Sequence, residues 1–207
     1  MKPFSCLAAF LSVLWLSLLP AIAGAQDLPP SQWLLSLWGQ TAHYAPPPWV
    51  RSRELEQEVE IFRQQGVNPN GVETFIYEYI PEGERFEDWS ELYAIYAERR
   101  GGVEIEEAVI GIYGIFANAC EEALYQEIEA PSRDRAHFAI YCTRYIARRE
   151  YGEVAVFSVV STGELLVRNY YEKRLPAFSR VSLNHGPPLP VAELEKAIAT
   201  VRRFEVK

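Results

Sequence analysis

Residues 74–100, TFIYEYIPEGERFEDWSELYAIYAERR, decide the fold. Phe75, Tyr77 and Tyr79 alternate with Ile76, Glu78 and Ile80 until Pro81-Glu82-Gly83 breaks the run. After Trp89 the alternation resumes through Leu92, Tyr93, Ala94, Ile95, Tyr96 and Ala97. Aromatic and branched residues at this density suit a pleated, half-buried surface. Two strands joined by a tight connection are therefore expected, with the rest of the chain built to cover them.

Downstream, Gly101-Gly102 closes the second strand, and a helix is expected with Ile105, Ala108, Val109, Ile112, Phe116 and Ala119 on one face. Gly111 and Gly114 inside it each cost about 1 kcal/mol against Ala, which predicts close backbone approach to the sheet there. Tyr125 to Glu129 and Ala136 to Ile146 alternate like paired strands around Pro131-Ser132-Arg133-Asp134, with Phe138, Ile140 and Cys142 on one face. Val154 to Val160 is apolar on both faces, the mark of a central strand, and Ser161-Thr162-Gly163 turns it into another from Leu165 to Tyr171. A Pro- and Asn-bearing loop from Pro176 to Pro190 leads to a last helix with Val191, Leu194, Ile198 and Val201 facing inward.

Upstream, Asn68-Pro69-Asn70-Gly71 signals a hairpin. Leu55, Val59 and Phe62 share a helical face, so a helix start giving way to a strand near Glu58 is expected. Residues 26–50 are Pro-rich and carry Trp33, Trp38 and Trp49. Pro29-Pro30-Ser31 before Gln32 to Trp38 predicts a short capped helix, and Pro46-Pro47-Pro48 an extended linker. That front segment is expected to cover an edge of the sheet; presenting its Trp residues to a partner is the alternative. Together these elements describe an α+β domain over 51–207, an antiparallel sheet flanked by helices.

Residues 1–25 read as an export signal. Lys2 supplies the charged start, Cys6 to Leu19 the apolar run, Pro20 the break and Ala23-Gly24-Ala25 the small-residue cleavage pattern. The apolar run is shorter than the roughly 20 residues that span a bilayer, so no stable membrane insertion is expected after cleavage. Removing Lys2 and no acid makes the net charge of −8 one unit more negative. An acidic exported domain, periplasmic or secreted, repels phosphate backbones, which argues against a nucleic-acid partner. Arg99-Arg100, Arg148-Arg149 and Arg202-Arg203 read as solvated ends of elements rather than as a basic patch.

With Cys6 removed, Cys120 and Cys142 remain, and in an exported chain an even count reads as a disulfide. Closing that loop stabilises the fold by roughly 3 kcal/mol and would pin the middle helix to the sheet. Nothing else in the sequence commits it to a reaction. His43 and His185 stand in Pro-rich loops and His137 on a strand, surface or second-layer positions without a metal-ligand set. Glu106-Glu107 and Glu121-Glu122 are adjacent in sequence and do not present two carboxylates to one substrate. No catalytic, cofactor-binding or metal residue is assigned. Trp89 reads as a core residue folded over the sheet edge, its indole N–H seeking a backbone carbonyl, with stacking on a ligand as the alternative.

Tyr79-Ile80-Pro81-Glu82-Gly83-Glu84 followed by Trp89-Ser90-Glu91 resembles a pattern in poorly characterised exported bacterial proteins. The order of helix, Cys-bearing segments and final helix is similar to the Mog1/PsbP-like α/β/α sandwich, over about Phe62 to Val201. The resemblance carries no catalytic residues. It implies an accessory or assembly role exercised through a binding surface. The chain departs from the pattern in its Trp- and Pro-rich front and in lacking a Cys in the last helix. The expected function is thus a non-catalytic binding or accessory protein of the cell envelope, with an envelope protein as partner and no cofactor. The alternative is a hydrolase whose carboxylates meet only in the fold. Intact-mass measurement of the protein from its native compartment is expected to show residues 1–25 missing and no free thiol; a retained apolar segment, or thiols that alkylate without reductant, contradicts this.

Overall fold

In the computed structural model, which describes residues 32–51, 58–183 and 185–207, the stretches that alternate in sequence are strands, and those inside the sheet are largely buried on both faces. The strands are β1 (Trp33–Leu37), β2 (Gln40–Tyr44), β3 (Val59–Val67), β4 (Glu73–Pro81) and β5 (Glu91–Glu98). Helix α1 (Ile105–Ala119) precedes β6 (Ala123–Glu129), β7 (Arg135–Cys142), β8 (Tyr151–Ser161) and β9 (Leu166–Pro176). Then come α2 (Arg180–Leu183), α3 (Val191–Val201) and β10 (Glu205–Val206). Seven strands form one antiparallel sheet in the order β3-β4-β5-β9-β8-β7-β6, so β9 is its middle strand. The opening stretch supplies β4 and β5, paired as Thr74 to Glu98 through Tyr79 to Tyr93.

Alternation sends successive side chains to opposite faces. Tyr79, Tyr93, Val154, Val156 and Tyr171 pack on one face with Ala197 and Val201 of α3 and with Leu37, Ala42 and Tyr44. Phe138, Ile140, Ala155, Phe157 and Tyr170 pack on the other with Ile105, Ala108, Ile112 and Phe116 of α1. The sheet is therefore covered by a helix on one face and by a helix plus a small three-stranded sheet, β1-β2-β10, on the other. This α+β arrangement matches the antiparallel sheet with flanking helices expected from the sequence.

The front of the chain differs from expectation. No capped helix forms over Gln32–Trp38; β1 and β2 make a hairpin whose turn places Trp38 and Gly39 at φ 46° and 91°. Burial explains it: Trp33, Leu35 and Leu37 point inward while Leu34 is 64% exposed, a spacing of two that a helix cannot satisfy. Trp33 packs against Tyr44 and Tyr79, whose hydroxyls lie 2.7 Å apart, and the Trp49 indole N–H donates to the Glu58 carbonyl. The Trp-bearing segment is core cover, not a displayed surface. The export signal, residues 1–25, and the helix start expected at 52–57 lie outside the described residues. From Val59 onward the chain is strand, and Asn68 closes the β3–β4 turn with its carboxamide oxygen on the Asn70 and Val72 amides.

Two other expectations are corrected. Val191 is 58% exposed, because the inward stripe of α3 is Leu194, Ala197, Ile198 and Val201 and the helix start projects past it. A Cβ on Gly111 or Gly114 would meet nothing within 4 Å, so neither serves close packing on the sheet. The close approaches are at Gly101, where a Cβ would strike the Gly163 carbonyl, and at Gly152, wedged under the Cys142 and Thr143 carbonyls.

Cys120 caps the C-terminus of α1 and is bonded to Cys142 at the end of β7, with a Cα separation of 5.5 Å. The Pro-Glu-Gly and Trp-Ser-Glu residues shape the β4–β5 loop. Glu84 accepts from the Ser90 amide at 2.7 Å and from its hydroxyl at 2.5 Å. Trp89, 8% exposed, is held less by its own N–H than by Arg174, whose guanidinium lies 3.8 Å from the ring centroid and donates to the Trp89 carbonyl at 3.0 Å. Trp89→Ala is expected to lose roughly 3 kcal/mol or more of stability; a chemical-denaturation midpoint matching the parent contradicts that assignment.

Candidate functional site

Helix α1 rests on the β6-β7-β8 half of its face. Its buried stripe is only one side wide, so the middle of the sheet is left uncovered where β9 and β5 run past it. A cleft results between α1 and the β5–β9 pair, with a volume of about 420 Å³. It continues into a smaller recess of about 140 Å³ over Phe116, Phe157 and Tyr170, and Ile112, Ile115 and Arg168 line both. The helix wall is apolar: Ile110 and Ile115 are 63% and 57% exposed beside Gly111.

The floor is polar because β9 directs Arg168, Tyr170, Glu172 and Arg174 to this face at a spacing of two. Arg168 lies over the Tyr96 ring, 4.1 Å from its centroid. Among the described residues no carboxylate forms an ion pair with it, and its buried Nε has no hydrogen-bond partner. The charges at the mouth are already matched: Arg100 pairs with Glu107 at 2.7 Å and Tyr96 donates to Glu98 at 3.0 Å. Among the described residues Arg168 thus lines the cleft without a carboxylate ion pair, held by the Tyr96 and Tyr170 rings and felt electrostatically by Glu78 and Glu172.

Beneath it sits a carboxylate pair. Glu153 of β8, 1% exposed, faces Arg174 across the strands and stands diagonally from Glu172, which faces Ala155. Burial pushes the Glu153 carboxyl up to about 7, against the pull of the Tyr145 hydroxyl, which donates to it at 2.8 Å, and of Arg174. Burial and then the Glu153 charge push Glu172 well above the usual range, partly opposed by Arg168. Glu78 is also raised by burial, partly opposed by Arg168. Two like charges in one poorly solvated place favour keeping a proton between them. Only Glu172 reaches the cleft; Glu153 is sealed under Tyr145 and the sheet.

The residues singled out from the sequence fall elsewhere. Cys120 and Cys142 meet in the disulfide at the far end of α1. The Arg pairs are dispersed into surface ion pairs, Arg99 with Glu73, Arg148 with Asp88, Arg149 with Glu121 and Arg202 with Glu129. His43 lies on β2 rather than in a loop, and His185 is exposed. His137 is an interior residue, 6% exposed, because the C-terminal segment closes over β7 through Arg135 and the Phe204 carbonyl. Burial and Arg135 lower its pKa, and its Nε2 is 3.9 Å from Glu129. Among the described residues no group of His, Cys, Asp and Glu is placed to hold a metal ion, and no helix is long and apolar enough to cross a membrane.

Arg168, Glu172 and Glu153 belong to no motif of the sequence. The signal was there in part: Arg168, Tyr170, Glu172 and Arg174 alternate with Val167, Asn169, Tyr171 and Lys173 in a strand too apolar at its start to be an exposed edge.

No protein-family model matches the chain, and no curated protein matches it. Among solved structures it is similar to the Ran-binding protein Mog1p of Saccharomyces cerevisiae, with TM-score 0.45 and 12% identity over 70% of this chain and 96% of that one. It is also similar to a point mutant of protein Mog1, with TM-score 0.48 and 11% identity over 84% and 95%. Both are Mog1 proteins, the fold that the sequence resemblance names. At these scores the likeness is a loose one in backbone, and the architecture rests on the strand order and layers described above.

The raised Glu153 gives a pH test. Its native carboxyl holds a proton more tightly than the unfolded one, so its contribution is complete below about 4.5 and is lost as pH rises through about 7. Glu153→Gln keeps an acceptor for Tyr145 and cannot ionise. The variant's melting temperature relative to the parent is expected to climb between pH 4.5 and pH 8, by an amount on the order of a few kcal/mol in stability; a difference independent of pH contradicts the buried, proton-holding carboxyl.

Proposed function

We propose that this is an exported, non-catalytic binding or accessory protein of the cell envelope, of Mog1/PsbP-like fold, working through the cleft beside α1. The observation that carries the reading is Arg168, an unpaired guanidinium set between aromatic rings on the floor of an apolar-walled cleft. A site of that size with one charged anchor suits recognition of a small or segmental ligand. Export is supported by the residue 1–25 pattern and by the Cys120–Cys142 bond, and the envelope setting by the Pro-Glu-Gly and Trp-Ser-Glu resemblance.

The Glu153–Glu172 pair favours a second reading, a hydrolase with carboxylates brought together by the fold. Acid–base catalysis needs two groups within reach of one substrate; of this pair only Glu172 lines the recess, and the Glu98 and Glu107 carboxylates at the cleft mouth are engaged by Tyr96 and Arg100. The binding reading therefore stands ahead. Purified oxidised protein is expected to give no turnover of chromogenic esters, glycosides or phosphoesters beyond that of Glu172→Gln. Turnover that Glu172→Gln abolishes while the fold survives would establish the hydrolase instead.

A further inference from the structure

The chemistry of the cleft also limits what it binds, and the inference rests on the binding reading above. We infer that the α1 cleft takes an apolar monocarboxylate, an acyl chain lying along Ile110, Gly111 and Ile115 with its carboxylate on Arg168. Three observations converge. First, Arg168 has no ion-pair partner among the described residues, and its Nε is buried without an acceptor. The guanidinium lines the cleft, where an incoming carboxylate fits its fork. Glu172 and Glu78 act on Arg168 electrostatically without forming an ion pair with it.

Second, Gly111 sits in the helix wall. Glycine there costs about 1 kcal/mol against Ala, yet no internal contact requires it, since a Cβ would meet nothing within 4 Å. The space it leaves opens into the cleft, where a bound chain would use it.

Third, among the described residues the walls offer few main-chain partners beyond the first turn of α1. β5 and β9 are bonded to each other along Glu91–Glu98, and α1 bonds within itself. A peptide laid in the cleft would bury amides against Ile112, Ile115 and Val159 without replacement hydrogen bonds, at a cost of about 1–3 kcal/mol for each unsatisfied group. An acyl chain has no such groups, and its single polar end meets Arg168.

Calorimetric titration of the oxidised protein with decanoate below its aggregation threshold tests this, with decanol, butyrate and acetyl-Leu-Leu-Phe as comparison probes. Saturable decanoate binding is expected, with decanol and butyrate each at least about tenfold weaker. Arg168→Gln is expected to weaken decanoate by about tenfold or more. Gly111→Ala is expected to weaken it while leaving the melting temperature equal or higher, a combination that damage to the fold does not produce. Equal affinity for decanol, or unchanged affinity in both variants, overturns the placement on Arg168. Tighter binding of the peptide overturns the acyl occupant in favour of a polypeptide segment. Absence of saturable decanoate binding overturns the ligand class and leaves the broader binding reading to its own turnover test.

Discussion

Helix α1 is fixed to one half of a seven-stranded sheet by the Cys120–Cys142 bond at its C-terminus and by the Ile105, Ala108, Ile112 and Phe116 stripe along its length. One helix is about 10 Å wide and neighbouring strands lie nearly 5 Å apart, so a single helix cannot cover seven strands. The other face is closed more completely, by α3 and the β1-β2-β10 sheet. The asymmetry leaves a gap over β9, the middle strand, where Tyr96, Arg168 and Tyr170 are reached from outside. Everything inferred about function depends on where α1 stops.

The electrostatics follow from the same geometry. A middle strand is poorly solvated, yet β9 places Arg168, Glu172 and Arg174 on the face that α1 half covers. Arg174 is satisfied by Trp89, through its ring and its carbonyl, and lies opposite Glu153. Glu153 is satisfied on one oxygen by Tyr145, while the other has no partner. Protonation of the carboxyls relieves what remains of the charge burial. Arg168 has no equivalent relief, because a guanidinium does not give up its proton. A cation without an ion pair among the described residues therefore stands where the sheet is open.

Much of the fold is legible in the sequence because each central strand carries its own period. Residues 74–100 give β4 and β5 with their turn, and Val154 to Val160 gives the central β8. The α1 stripe is equally plain. The front segment misleads because Pro-Pro-Ser ahead of an apolar run is a local helix-start signal, whereas Trp33, Leu35 and Leu37 answer to an aromatic cluster on β2, β4 and β5 that lies far off in sequence. Gly111 misleads for a different reason: a helical glycine suggests tight packing, and only the surroundings reveal open space. The site was the least legible part. Arg168 and Glu153 come from different strands, and sequence carries no register between β8 and β9. The charged alternation on β9 was visible, but whether that face was solvent, core or cleft depended on how far α1 extends.

The most direct measurement is hydrogen–deuterium exchange on the oxidised protein and on a Cys120→Ser, Cys142→Ser double variant. The disulfide holds the C-terminus of α1 against β7. Amides of α1 are expected to lose protection first and most, while those of β4, β5 and β9 keep the greater part of theirs. Unchanged α1 protection in the double variant, or a uniform loss across the sheet, would contradict the claim that this anchor sets the position of α1 and with it the cleft.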